Sequence, residues 1–75
     1  MENQRNSLHI GQRIKRQIED SGMTTVWLAQ QLGYHRTNLY KIYEKSTIDT
    51  GILLRISKIT GYNFFRLYEK ECNML

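Results

Sequence analysis

Hydrogen-bonding side chains cluster between Arg36 and Lys41, and they give this segment the clearest chemical potential in the sequence. An arginine can form two hydrogen bonds with guanine O6 and N7, and an asparagine can do the same with adenine N6 and N7. Arg36 and Asn38 offer both groups, and Thr37 between them carries a hydroxyl and a methyl. The combination indicates recognition of base edges in a nucleic acid.

A short helix over residues 36–44 must position these groups. Leu39, Ile42 and Tyr43 recur at helical spacing and predict its buried face. At about 100° per residue, Thr37 and Lys41 then lie near the centre of the opposite face. The predicted base-reading residues on or beside that face are Arg36, Thr37, Asn38, Tyr40 and Lys41. The alternative is the ordinary solvated face that any helix bundle needs.

A second short helix precedes this one, with only a sharp turn around Gly33 between them. Thr24 is its predicted N-cap, and the helix covers residues 25–32. Gly33 suits the positive φ of the turn, and the small Ala29 lets the next helix cross closely. Two helices joined in this way are typical of a helix-turn-helix, whose second helix enters the DNA major groove. The predicted inward-facing residues of the first are Leu28, Ala29 and Leu32.

The first predicted helix of the chain spans residues 8–21, with Ser7 as its N-cap and Gly22 after its end. Its isoleucines recur every four residues and form one apolar stripe, as in an amphipathic helix. They are Ile10, Ile14 and Ile18.

Two more helices are predicted after a loop at residues 46–49. The fourth is capped by Asp49 or Thr50 and ended by Gly61, and the fifth is capped by Asn63 and covers residues 64–71. No segment alternates with the period of a strand. The predicted fold is therefore all-α, a compact five-helix bundle in a single domain over residues 1–75, with flexible tails at residues 1–7 and 72–75. Apolar positions of the last two helices are Ile52, Leu53, Ile56, Ile59, Phe64, Phe65, Leu67 and Tyr68.

Composition excludes several classes of protein. Seventy-five residues allow one small domain, and 40% hydrophobic with 24% charged residues is normal for a globular chain. The only cysteine, Cys72, has no partner for an intramolecular disulfide. No apolar run approaches the length of a membrane span, and the polar first seven residues do not read as a signal peptide. We therefore expect a cytoplasmic protein.

The chain is basic, with a net charge of +4 and a pI of about 9.5. A basic domain attracts polyanions such as nucleic acids, although the same charge also keeps a small protein soluble. The first helix, the two helix N-termini and the loop after residue 44 supply the predicted phosphate contacts. These are Arg13 (with Gln12 as its alternative), Thr24, Thr25, His35, Lys45, Ser46 and Thr47. Lys45 has a second interpretation as a charge that complements a helix C-terminus. Arg55, Lys58, Arg66 and Lys70 are expected to be solvated surface.

Residues 22–42, GMTTVWLAQQLGYHRTNLYKI, resemble the helix-turn-helix of the phage lambda repressor and Cro superfamily, also called the xenobiotic-response-element (XRE) family. The Leu-Ala pair, the glycine turn and the order of five helices carry the resemblance, which covers about residues 8–68. It implies major-groove DNA binding, usually by dimers on two-fold operators, and usually repression of transcription. The chain departs from the family pattern at several positions. The family often has a phosphate-contacting Gln where this chain has Thr25. It usually has acidic or polar residues in place of Val26 and Trp27, and often an acidic residue in place of Tyr43. These departures concern the phosphate contacts.

The leading prediction is a sequence-specific regulator of transcription, most simply a homodimeric repressor that binds an inverted-repeat operator in double-stranded DNA. The alternative is an antitoxin-like or other protein-binding module, in which Trp27 or the last helix binds a protein partner. Trp27 has a second interpretation as a ring that folds onto a neighbouring helix and enlarges the core. A third possibility is a nucleic-acid binder that relies on charge alone.

The sequence contains neither a phosphate-binding glycine loop nor the spacing of metal ligands. No enzyme, cofactor or metal is therefore predicted.

Overall fold

Five α-helices and no strand form the part of the chain, residues 8–73, that the computed structural model describes. The all-α prediction is confirmed, and every predicted helix corresponds to an observed one. In chain order the helices are α1 (Ile10–Asp20), α2 (Thr25–Leu32), α3 (Arg36–Tyr43), α4 (Thr50–Thr60) and α5 (Phe65–Asn73).

Local signals in the sequence set most of the helix ends. The Thr24 hydroxyl accepts a hydrogen bond from the Trp27 amide at 3.0 Å, and the Asp49 carboxylate accepts from the first amides of α4. The Asn63 side chain accepts from the Phe65 amide at 3.0 Å. Each of these bonds satisfies an amide that has no partner within its helix. Gly33, with φ 74°, ends α2 in the left-handed conformation that the turn requires, and Gly22 and Gly61 are also left-handed.

The predicted start of α1 is wrong. The helix begins at Ile10, and its N-cap is His9, whose Nδ1 accepts a hydrogen bond from the Gln12 amide at 3.1 Å. The proposed cap, Ser7, lies outside the described residues. At the other end of the chain, Cys72 and Asn73 belong to α5 and not to a tail, and the rest of both predicted tails also lies outside the described residues.

The core lies where α3 packs against α1 and α2, and where α4 and α5 close the bundle behind them. Every inward position predicted for α1, α2 and α3 is buried. Trp27 and the predicted apolar positions Ile52, Ile59, Phe65 and Tyr68 are only partly buried and pack around this core. The most completely buried side chains are Ile10, Ile14, Ile18, Leu28, Leu39, Leu53, Ile56 and Phe64.

The first turn of α1 is joined to the end of α3 through backbone contacts. The amides of Ile10 and Gly11 donate to the carbonyls of Ser46 and Lys45, at 3.1 and 3.0 Å. A Cβ atom on Gly11 would collide with the carbonyl oxygens of Ile42 and Tyr43, so only glycine permits this approach. The joint fixes where α3 and the loop after it lie relative to α1.

Candidate nucleic-acid interface

The outward side of α3 carries all five predicted base-reading side chains. Leu39, Ile42 and Tyr43 anchor the other side of the helix in the core. Tyr40 is half exposed, and its ring meets the edge of Tyr43 with 6.3 Å between the ring centroids. The structure thus places two cationic groups and three polar or aromatic groups on the exposed side of one short helix. They are Arg36, Thr37, Asn38, Tyr40 and Lys41.

His35 is the N-cap of α3. Its Nδ1 lies 3.4 Å from the amide nitrogen of Thr37, which donates to it, and 3.0 Å from the Thr37 hydroxyl oxygen. The backbone carbonyl of His35 accepts from the Asn38 amide at 2.9 Å and closes the first turn of the helix. His35 itself is exposed, so its ring is held on one side by α3 and open to solvent on the other.

Arg55 of α4 supports the turn between α2 and α3. Its Nη2 donates to the carbonyl of Leu32, the last residue of α2, at 2.9 Å, and its guanidinium carbon lies 5.9 Å from the centroid of the Tyr34 ring. The prediction that Arg55 lies on the solvated surface holds for its exposure, and its guanidinium makes these two contacts as well. The local sequence does not predict this contact, because the two bonded residues are 23 positions apart.

Tyr43 connects the end of α3 to the start of α2. Its hydroxyl and that of Thr25 lie 2.9 Å apart in a hydrogen bond. Burial raises the pKa of the Tyr43 phenol above its ordinary value, and the bond to Thr25 opposes this shift, while Tyr40 and Glu19 add to it. The Thr25 hydroxyl, a predicted phosphate contact, is therefore already engaged within the protein.

Most of the other predicted phosphate contacts lie around the C-terminal end of α3. Lys45, Ser46 and Thr47 are exposed in the loop that follows it, and the backbone bonds from α1 bring exposed Arg13 to the same end of the molecule. The alternative to Arg13, Gln12, donates instead to the Tyr43 carbonyl at 3.2 Å. Thr24 caps α2, and His35 lies at the opposite end of α3.

A concave surface between α1, the start of α2 and α3 includes acidic groups. Glu19 and Glu44 line it together with Lys15 and Tyr40. These carboxylates repel phosphates, and Tyr40, one of the predicted base readers, lines the same surface.

Trp27 does not line this concave surface. It packs against the core and lines a shallow apolar hollow with Gly22, Met23 and Thr24. This placement supports the interpretation of Trp27 as an extension of the small core. The neighbouring Val26 is 45% exposed.

Two further observations concern residues 8–73. No group of three or more His, Cys, Asp or Glu side chains in this range is arranged to hold a metal ion. None of the helices described there is long and apolar enough to cross a bilayer.

Comparison with protein families identifies a DNA-binding domain. The family model of the Cro/C1-type helix-turn-helix DNA-binding domain matches residues 13–65. The matched range begins inside α1, includes α2, α3 and α4, and ends at the first residue of α5. No curated protein and no solved structure matched the chain.

Proposed function

Since the chain belongs to the Cro/C1-type helix-turn-helix DNA-binding family, we propose that it is a sequence-specific repressor of transcription. The observation that carries this proposal is the outward side of α3, where five side chains suited to base edges stand opposite a buried apolar anchor. The resemblance to the lambda repressor and Cro superfamily is confirmed by the family match. The repressor role, the base readers and the dimer are parts of the proposal.

The proposed reading of DNA assigns a different task to each side chain. Arg36 and Asn38, at the N-terminal tip of α3, form paired hydrogen bonds with guanine and adenine. Thr37 and Lys41 face the centre of the major groove. Tyr40 packs its exposed ring on a sugar or on a thymine methyl group.

The sugar-phosphate backbone is held at both ends of α3. Lys45, Ser46 and Thr47 contact phosphates beyond its C-terminal end, with Arg13 from α1 beside them. His35 donates from Nε2 at the N-terminal end. Thr24 acts with the free amides at the start of α2, whose helix dipole favours an anion. Thr25 contributes through its backbone amide, because its hydroxyl is bonded to Tyr43. The excess of positive charge supports this arrangement.

The simplest repressor is a homodimer in the cytoplasm that occupies an inverted repeat and blocks transcription. Two copies of α3 then enter successive major grooves about 34 Å apart on one side of the duplex. A dimer doubles the number of base contacts that a domain of 75 residues can make.

Selection of bound duplexes from a random library tests the proposal, at about 0.15 M ionic strength to suppress charge-only binding. Enrichment of a short inverted repeat supports a dimeric operator-binding protein. Retention without enrichment contradicts the proposal in favour of a charge-driven binder. Loss of all retention favours the protein-binding alternative, for which the partly buried Trp27 gives no specific support.

A further inference from the structure

The contacts of His35 favour one position for its ring proton. A backbone amide can only donate, so the bond from the Thr37 amide makes Nδ1 of His35 an acceptor. The neutral ring then carries its proton on Nε2. In this tautomer Nδ1 carries no proton, so the Thr37 hydroxyl, 3.0 Å away, is the donor of the shorter contact and shares the single lone pair of Nδ1 with the amide.

This bond decides what Thr37 can offer to DNA. A hydroxyl has one proton to donate and two lone pairs that accept. With its proton directed to His35, the exposed oxygen of Thr37 has only acceptor capacity left for the groove. An unconstrained threonine hydroxyl rotates and serves as donor or acceptor, so it discriminates poorly between bases.

We propose that His35 is a positioning residue that makes Thr37 an obligate acceptor, and that α3 thereby selects a base with an amino group in the major groove. Adenine N6 and cytosine N4 are the two such donors, whereas guanine and thymine present acceptors at the corresponding positions. The inference rests on the proposed function, since it requires that α3 read base edges. It deepens that function by naming the chemical class of base opposite Thr37.

Base preference measured on single variants tests the inference. Thr37→Val removes the hydroxyl, and the base pair whose preference it changes is the one that Thr37 contacts. There the wild-type protein should favour adenine or cytosine by about three- to tenfold, the range of one net hydrogen bond. In His35→Ala the Thr37 hydroxyl should be free to donate or accept, and the ratio of affinities for the two classes of base should fall close to one. His35→Asn should preserve it, because the amide oxygen caps the helix and accepts as Nδ1 does.

His9 supplies a matched control. It caps α1 through the same ring atom, but among residues 8–73 its acceptor serves the Gln12 amide and no hydroxyl. His9→Ala should therefore remove a comparable helix cap and leave the base preference unchanged. A loss of stability alone would affect His9→Ala and His35→Ala alike. A change of base preference in His35→Ala only would therefore show that His35 positions the Thr37 hydroxyl.

A measurement on the wild-type protein does not depend on any variant folding. The 15N chemical shifts of the His35 ring at alkaline pH should show a bare Nδ1 and a protonated Nε2. A proton on Nδ1 would overturn the inference, as would a His35→Ala preference equal to that of the wild type. If an operator is enriched but Thr37→Val changes no position in it, only this inference fails. If no sequence is enriched, the inference fails together with the proposed function.

Discussion

The guanidinium of Arg55 donates to the carbonyl of Leu32 across 2.9 Å, and this bond ties α4 to the last residue of α2. Carbonyls at a helix C-terminus have no partner within the helix and carry partial negative charge, so a cation there is favourable. The same guanidinium lies over Tyr34, the residue after the left-handed Gly33. One side chain therefore braces the turn that sets the direction of α3.

Removal of this brace should destabilise the domain. We expect Arg55→Ala to lower the free energy of unfolding by about 1 kcal/mol, through loss of a charged hydrogen bond and a cation-π contact that are partly exposed. Urea denaturation measures the change. Arg16→Ala removes an exposed arginine from the interior of α1, away from either helix end, and should have little effect. Equal midpoints for the two variants would show that the Arg55 bond does not stabilise the turn.

Gly11 should not tolerate a side chain. Gly11→Ala places a methyl group against two backbone carbonyls at the end of α3, so α1 must move or the joint must open. We expect a loss of about 1–3 kcal/mol, despite the higher helix propensity of alanine. The control is Gly51→Ala in α4, whose added Cβ meets only the side chain of Asp49. Thermal unfolding distinguishes them, and a Gly11→Ala protein as stable as the control would contradict this role.

Ionisation of Tyr43 should limit stability at alkaline pH. Its pKa is raised in the folded protein, mainly by burial, whereas in the unfolded chain it is about 10. The unfolded state releases this proton first, so stability is complete below about pH 10 and falls as the pH rises further. Tyr43→Phe should reduce the slope of unfolding free energy against pH in that window. Tyr68, whose pKa burial also raises, contributes to the slope that remains. Tyr62→Phe removes the hydroxyl of an exposed tyrosine that does not contribute to the Tyr43 shift, and it serves as the control. An unchanged slope in Tyr43→Phe would contradict the assignment.

Arg36 should contribute to sequence preference. Arg36→Ala is expected to cost about 1–3 kcal/mol on the selected operator and to relax the preference at one base pair. Affinities for operator and random duplexes, measured at one salt concentration, give both numbers. An equal loss on the two kinds of DNA would remove Arg36 from the base-reading set.

Lys45 should contribute to affinity without preference. Lys45→Ala is expected to weaken binding to operator and random duplexes alike and to reduce the slope of log affinity against log salt by about 1. Titrations at several salt concentrations measure that slope. An unchanged slope would mean that Lys45 only complements the C-terminal end of α3.

The sequence predicts the helix-turn-helix well because its signals are local. Thr24 caps α2 with its own side chain, Gly33 adopts the conformation that its missing Cβ permits, and the apolar spacing of α3 defines which side is buried. The start of α1 cannot be predicted in this way, because histidine is an uncommon cap and the first amides of the helix bond to carbonyls 34 to 36 residues away. The bond from Arg55 to Leu32 also joins residues that are far apart in the sequence. The roles of Arg36, Lys45 and the other DNA-facing residues remain predictions.

The joint between α1 and the loop after α3 uses the carbonyls of Lys45 and Ser46, not their side chains. Almost any residue supplies a carbonyl, so the fold places little demand on the identity of these two positions. Their side chains can be exchanged while the loop keeps its place beside α3. The backbone joint is therefore independent of the side chains at positions 45 and 46. New side chains for contacting DNA could be introduced there without a change in the fold.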